Sequence, residues 1–187
     1  KQFSNQPAIA ATLRHVLAER YHDLGLDNTA FALEEQVLAE RRRVLGDDHS
    51  DTLDSIGNLG VFQNALGKMS EAEALYREAM DRSRRVRGED ASETLVCISN
   101  MGSLLLDKNT PAEAEPFIRE SLEKRKRVLG EEHPDTLASL TLFASLLRQQ
   151  GKLDEAADVG RDALAKRRRV LGEEHPDTLI SINEMGV

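Results

Sequence analysis

The sequence predicts an all-α fold: a right-handed solenoid of antiparallel helix pairs, about four pairs followed by a terminal helix. Three observations carry this. The chain repeats itself, each repeat holds two amphipathic helical stripes, and no strand pattern competes with them. The repeat is read from Arg43-Val44-Leu45-Gly46, which returns as Arg85-Val86-Arg87-Gly88, Arg127-Val128-Leu129-Gly130 and Arg169-Val170-Leu171-Gly172, each step 42 residues long. In the same frame Asp51-Thr52-Leu53 becomes Glu93-Thr94-Leu95, Asp135-Thr136-Leu137 and Asp177-Thr178-Leu179. The whole chain, 1–187, therefore reads as one domain, with repeats at about 8–46, 50–88, 92–130 and 134–172 and a partial fifth at 176–187.

The first repeat is the most divergent. Gly25 marks its turn and Asn28 stands as the expected cap of its second helix. In the second repeat, Leu53, Ile56, Leu59, Gly60 and Phe62 predict a helix from about Asp51 to Leu66. Ala72, Leu75, Tyr76, Ala79 and Met80 predict the next, with Ser70-x-x-Glu73 as its capping box. Thr110-Pro111 opens the second helix of the third repeat, and Asp154 is the expected cap in the fourth. Gly60, Gly102, Ala144 and Ala18 are small where the paired helices must approach closely. In the last helix Leu179, Ile182 and Met185 form an apolar stripe, expected to cover the preceding helix or to pair with a second copy as a homodimer.

Composition limits the function. With 25 Lys+Arg against 33 Asp+Glu the net charge is −8, which argues against a nucleic-acid binder. No apolar run approaches the roughly 20 residues of a spanning helix, so direct membrane insertion is not expected. Only 4% of residues are aromatic and none is Trp, so the core must come from Leu, Ala, Val and Ile. The single Cys97 excludes an internal disulfide framework and fits a reducing, cytoplasmic setting; its helical position reads as core packing. The chain opens at Lys1 and stops partway through its motif, so it reads as a segment of a longer protein. No Gly-rich phosphate loop, His-Glu-x-x-His or nucleophile elbow occurs, so no enzyme and no cofactor is expected.

Period alone also admits HEAT or armadillo repeats. The order Ile56-x-x-Leu59-Gly60-x-x-Gln63, then Ala72-x-x-x-Tyr76 and Ala79, matches the tetratricopeptide (TPR) repeat. Ordinary TPR units run about 34 residues. Here the extra residues extend the second helix and the following turn, as in Arg127-Val128-Leu129-Gly130-Glu131-Glu132-His133-Pro134-Asp135-Thr136-Leu137. This run resembles the 42-residue TPR of kinesin light chains and of their bacterial and fungal relatives. The resemblance implies a protein-binding adaptor or scaffold. In the eukaryotic members the superhelix holds peptide segments of cargo adaptors, and bacterial kinesin light chain associates with a tubulin-like polymer. One departure stands out. The eukaryotic members carry paired Asn at two adjacent groove positions, whereas here Gly57 precedes Asn58 and Ser99 precedes Asn100.

Two surfaces follow as candidates for a protein or peptide partner. In TPR register the groove face carries His15, His22, Asn58, Asn64, Asn100, Ser103, Arg148 and Gln149, with Glu19 beside them. Asn amides both donate and accept, as an extended backbone requires. The alternative is a charged edge at the ends of the second helices, through Arg43, Arg84, Arg125 and Arg167, suited to an acidic polymer. Helix-end cations with acids just beyond them also have a purely structural reading. A third possibility is a sensor or oligomerisation module of a larger signalling protein. His49, His133 and His175 sit one repeat apart, too far at about 8–10 Å per helix layer to share a metal, and read instead as helix openers.

Overall fold

The computed structural model describes residues 7–185. Among them are nine α-helices: α1 (Pro7–Asp23), α2 (Asp27–Leu45), α3 (Ser50–Ala65), α4 (Met69–Arg87), α5 (Ser92–Asp107), α6 (Pro111–Leu129), α7 (Pro134–Gln149), α8 (Leu153–Leu171) and α9 (Pro176–Met185). Odd-numbered helices are the first of each pair. The chain divides into two compact units, residues 1–100 and 101–187. In the first, α1 packs on α2, α2 on α3, and α3 on α4; in the second, α6 packs on α7, α7 on α8, and α8 on α9.

The core follows the stripes. Ala18, Ala30 and Phe62 form one buried cluster of the first unit, and Leu122, Leu137, Leu140 and Ala163 one of the second. A Cβ added to Gly60 would lie 2.6 Å from Tyr76 Cε1, so glycine is there to let a buried tyrosine reach the α3 backbone. Gly102 meets the Ile118 side chain in the same way. The register places Glu34 opposite Ala18 and Gly160 opposite Ala144 in the outer repeats.

The starts of the second helices differ from the capping boxes read in the sequence. α4 begins at Met69, which puts Ser70 inside its first turn, and no side chain caps it. Asn28 and Asp154 likewise lie inside α2 and α8, after Leu26 and Lys152. The turn itself does the capping. Gly67, at φ +74°, donates from its N–H to Asn64 O at 2.9 Å, and Lys68 N–H donates to Gln63 O at 2.9 Å. That closes α3 as a Schellman motif. The Lys68 carbonyl then accepts from Ala72 N–H at 3.0 Å and starts α4 without side-chain help. The other three pairs turn the same way, with Asn109 replacing glycine at φ +58°. Thr110 stands where expected before Pro111, yet its hydroxyl donates back to Leu105 O at 2.9 Å rather than capping α6.

Three of the first helices, α3, α7 and α9, are capped by the repeated histidines. Asp51 N–H donates to His49 Nδ1, Asp135 N–H to His133 Nδ1 and Asp177 N–H to His175 Nδ1, each at 3.2 Å. At the far end, α9 does not use the expected stripe. Thr178 and Ser181 are the buried residues, while Leu179 and Ile180 are more than half exposed. The reason is the buried Arg167 guanidinium of α8, which bonds the Ser181 hydroxyl and draws that polar face inward. Ile182 is half-buried, and the side chain of Met185 lies outside the described residues.

Candidate functional site

In the first unit, α1, α3 and the start of α5 frame a cavity of about 250 Å³. His15, Asn58 and Asn100, all expected groove residues, lie in its lining together. Gly57, placed beside Asn58 by the sequence reading, lines it too, as do Leu53, Asp54, Glu93 and Val96, which that reading did not put in the groove. For the polar ones the signal was a helical spacing, since Asp54 precedes Asn58 by four residues and Glu93 precedes Asn100 by seven. Cys97 borders the cavity but is buried. Burial raises its thiol pKa, opposed by a hydrogen bond with Ser83.

His15 does more than face solvent. Its Nδ1 lies 2.9 and 3.0 Å from the two oxygens of Glu34, a wholly buried carboxylate on α2. Its Nε2 is 3.8 Å from Glu19. The hydrogen bond to Glu34 raises the His15 pKa, with burial opposing it. A folded pKa above the ordinary value of about 6.5 stabilises the fold fully below that value, and the contribution fades as pH rises through the folded pKa. Unfolding midpoints in urea should therefore fall as the pH rises above about 6.5 in the native chain, and the fall should be shallower in His15→Gln.

Asn58 also borders a second concavity of about 270 Å³ with Glu19, His22 and Phe62. There His22 Nδ1 is 2.5 Å from Asp27 Oδ1, and its ring stands 5.0 Å from the Phe62 ring. Asn64 is half-buried and already has a partner within the chain. In the second unit Ser103 is half-buried, Arg148 donates to Ser145 Oγ at 3.1 Å, and Gln149 Nε2 donates to Leu106 O at 3.2 Å. Arg148 and Ser145 border a cavity of about 380 Å³ whose floor includes Ala144, Ala156 and Gly160.

The four arginines of the charged edge do not share an environment. Arg43 is exposed and pairs with Glu40 at 2.6 Å, and Arg84 lies 3.4 Å from Glu89. Arg125 and Arg167 are buried. Arg125 donates to Ser139 Oγ at 2.7 Å and to Asp135 O at 3.2 Å, and burial lowers its pKa. Arg167 bonds Ser181 and donates to Leu137 O at 3.1 Å. Arg41 does the same with Ser55 at 2.7 Å and Asp51 O at 2.8 Å. These guanidiniums join α2 to α3, α6 to α7 and α8 to α9, so Arg125 and Arg167 are no part of an exposed edge. The missed signal was a spacing: Arg41, Arg125 and Arg167 each precede a serine by fourteen residues. In the second repeat Ser83 and Cys97 stand at those two positions, arginine and serine having both been replaced.

Several other helix-end cations have acidic neighbours. Arg42 lies 3.1 Å from Asp47, Arg82 2.9 Å from Asp48, and Lys166 2.8 Å from Asp162. Pairs at a surface like this contribute little stability, and they offset part of the positive charge of the edge.

Comparison with known proteins gives the repeats a family. Matches to the tetratricopeptide repeat cover residues 8–85, 54–125 and 94–169. No curated protein matches the sequence. Among solved structures the chain is similar to a Podosopora anserina protein assigned as a kinesin light chain with nearly identical TPR-like repeats. The identity is 25% and the TM-score 0.78, over 96% of this chain and 85% of that one. A point-substituted form of the same protein agrees, also at TM-score 0.78. BtubC (BKLC) from P. vanneervenii superposes at TM-score 0.81 with 20% identity, over 96% of this chain and 72% of that one, a likeness of fold. Among the described residues no helix is long and apolar enough to cross a membrane. The matches run over the same repeats that the helix pairs trace, and the chain belongs to the tetratricopeptide repeat family.

Proposed function

We propose that this chain is a non-catalytic adaptor that holds an extended segment of a partner protein against its first helices. The supporting observation is the cavity that brings Asn58 and Asn100 into one lining, one amide from each of two successive repeats. Two such amides supply both donors and acceptors to a backbone lying across them. Protein binding is also the usual work of TPR repeats, and the cytoplasm is the compartment that fits a reduced Cys97.

The experiment compares the native chain with Asn58→Ala/Asn100→Ala as bait in a source lysate, read by mass spectrometry. Both residues are half-buried on helix faces, so the double variant should keep its melting behaviour. The expected result is a partner retained by the native chain and lost by the variant. A partner held equally by both would overturn the groove reading. An abundant filament-forming protein in that position would support the alternative, an accessory of a tubulin-like polymer. The likeness to BtubC favours considering that alternative. The burial of Arg125 and Arg167 weighs against its charged edge.

A further inference from the structure

The first-unit cavity contains a glycine that the protein's own packing does not require. A Cβ on Gly60 or Gly102 would strike a buried side chain, but a Cβ on Gly57 would meet nothing within 4 Å. Gly57 sits inside α3 with no left-handed backbone to explain it. A glycine there costs the helix about 0.5–1 kcal/mol relative to alanine. What its missing side chain provides is open space in the lining of the cavity, beside Asn58 and across from Asn100.

Carboxylates outnumber cations around that space, where His15, 3.8 Å from Glu19, is the one basic side chain in the lining. Glu19, Asp54 and Glu93 contribute carboxylates to the lining, and no lysine or arginine does. Arg87 reaches Asp54 from behind at 2.7 Å and satisfies part of that carboxylate, while His15 is turned toward Glu34. Glu93 is exposed, and the Glu19 side chain is 42% exposed. Val96, 42% exposed, adds an apolar wall. An apolar wall below a carboxylate rim suits a side chain with an alkyl stem and a cationic head. The volume, about 250 Å³, falls below the roughly 300–1,000 Å³ of small-molecule sites and suits one side chain with its adjoining backbone.

We propose that this cavity receives a single lysine or arginine side chain from an extended peptide, and that Gly57 is the specificity-determining residue that makes room for it. The proposal rests on the groove reading above and names the partner's chemistry. The alkyl stem lies over Gly57 against Val96, the cationic head meets Glu19 and Glu93, and Asn58 and Asn100 hold the flanking backbone. Charge-assisted hydrogen bonds to the carboxylates provide the preference for a cation.

The test is selection of random dodecapeptides displayed on phage against the purified native chain, followed by affinity measurement on four proteins. These are the native chain, Gly57→Leu, Glu19→Gln/Glu93→Gln and Asn58→Ala/Asn100→Ala. Peptides that require Asn58 and Asn100 should share one Lys or Arg. Their binding should fall about tenfold or more in the Glu variant and in Gly57→Leu. Gly57→Leu should melt no lower than the native chain, because leucine is the better helix former and its Cβ would meet nothing within 4 Å. Peptides that require Asn58 and Asn100 but carry no shared cation, or that bind Gly57→Leu unchanged, overturn this proposal and leave the groove reading standing. Failure to enrich any peptide that distinguishes the native chain from the Asn variant overturns both.

Discussion

Arg125→Glu should lower the unfolding free energy by about 3–5 kcal/mol, the range found when a buried charged group loses its compensation. The guanidinium is 5% exposed and donates to a hydroxyl and a backbone carbonyl. A carboxylate in its place would be buried facing Asp135 O, an acceptor it has no proton to satisfy. Arg125→Met keeps the side-chain volume, removes the charge and leaves Ser139 Oγ bonded to Ser121 Oγ at 3.1 Å. It should therefore cost much less than the reversal. Arg43→Glu, on an exposed side chain of the same helix-end cluster type, should shift stability by no more than about 0.5 kcal/mol. Urea denaturation of the three variants checks the ordering. Equal losses for Arg125→Glu and Arg43→Glu would mean that Arg125 is an edge residue after all. Because stability is about 5–15 kcal/mol in total, a binding assay on Arg125 or Arg167 charge reversals would report folding rather than contact.

Gly60→Ala should cost about 1–3 kcal/mol, the usual range for overpacking a filled core. The added methyl would stand 2.6 and 2.7 Å from two ring carbons of Tyr76, which is 3% exposed and has little room to withdraw. A second change that shrinks the ring, Tyr76→Leu, should recover part of that loss in the Gly60→Ala background, a coupling that a double-mutant cycle measures directly. Gly57→Ala, three residues earlier in the same helix, should instead stabilise by about 0.5–1 kcal/mol. Opposite signs for the two glycines are the expected result, read from thermal or urea unfolding. Destabilisation by both would show that Gly57 is packed against something and would remove the argument for open space above it.

The helices were legible because the 42-residue repeat and its stripes give the same answer at every level, from Ile56 and Leu59 to Ala72 and Tyr76. The turns were less so. Ser70-x-x-Glu73 has the pattern of a capping box, but Gly67 closes the previous helix so tightly that α4 starts before Ser70 is reached. The histidines announced helix starts, and their own rings turned out to be the caps. Arg125 and Arg167 were hidden inside basic runs that look uniformly solvated. Only their fourteen-residue offset from Ser139 and Ser181 marks them as interior. Asn58 and Asn100 could be placed on one face from register alone. Glu19 was placed with them by the same register, whereas Asp54 and Glu93, one turn or two before an Asn on α3 and α5, were not singled out.

Hydrogen exchange with residue-level resolution, recorded on the native chain with and without a captured partner peptide, tests the central claim most directly. Binding along the first helices predicts slowed exchange in α1, α3 and the start of α5, centred on residues 53–58 and 93–100. Protection confined to the ends of the second helices, around Arg43 and Arg84, would contradict it.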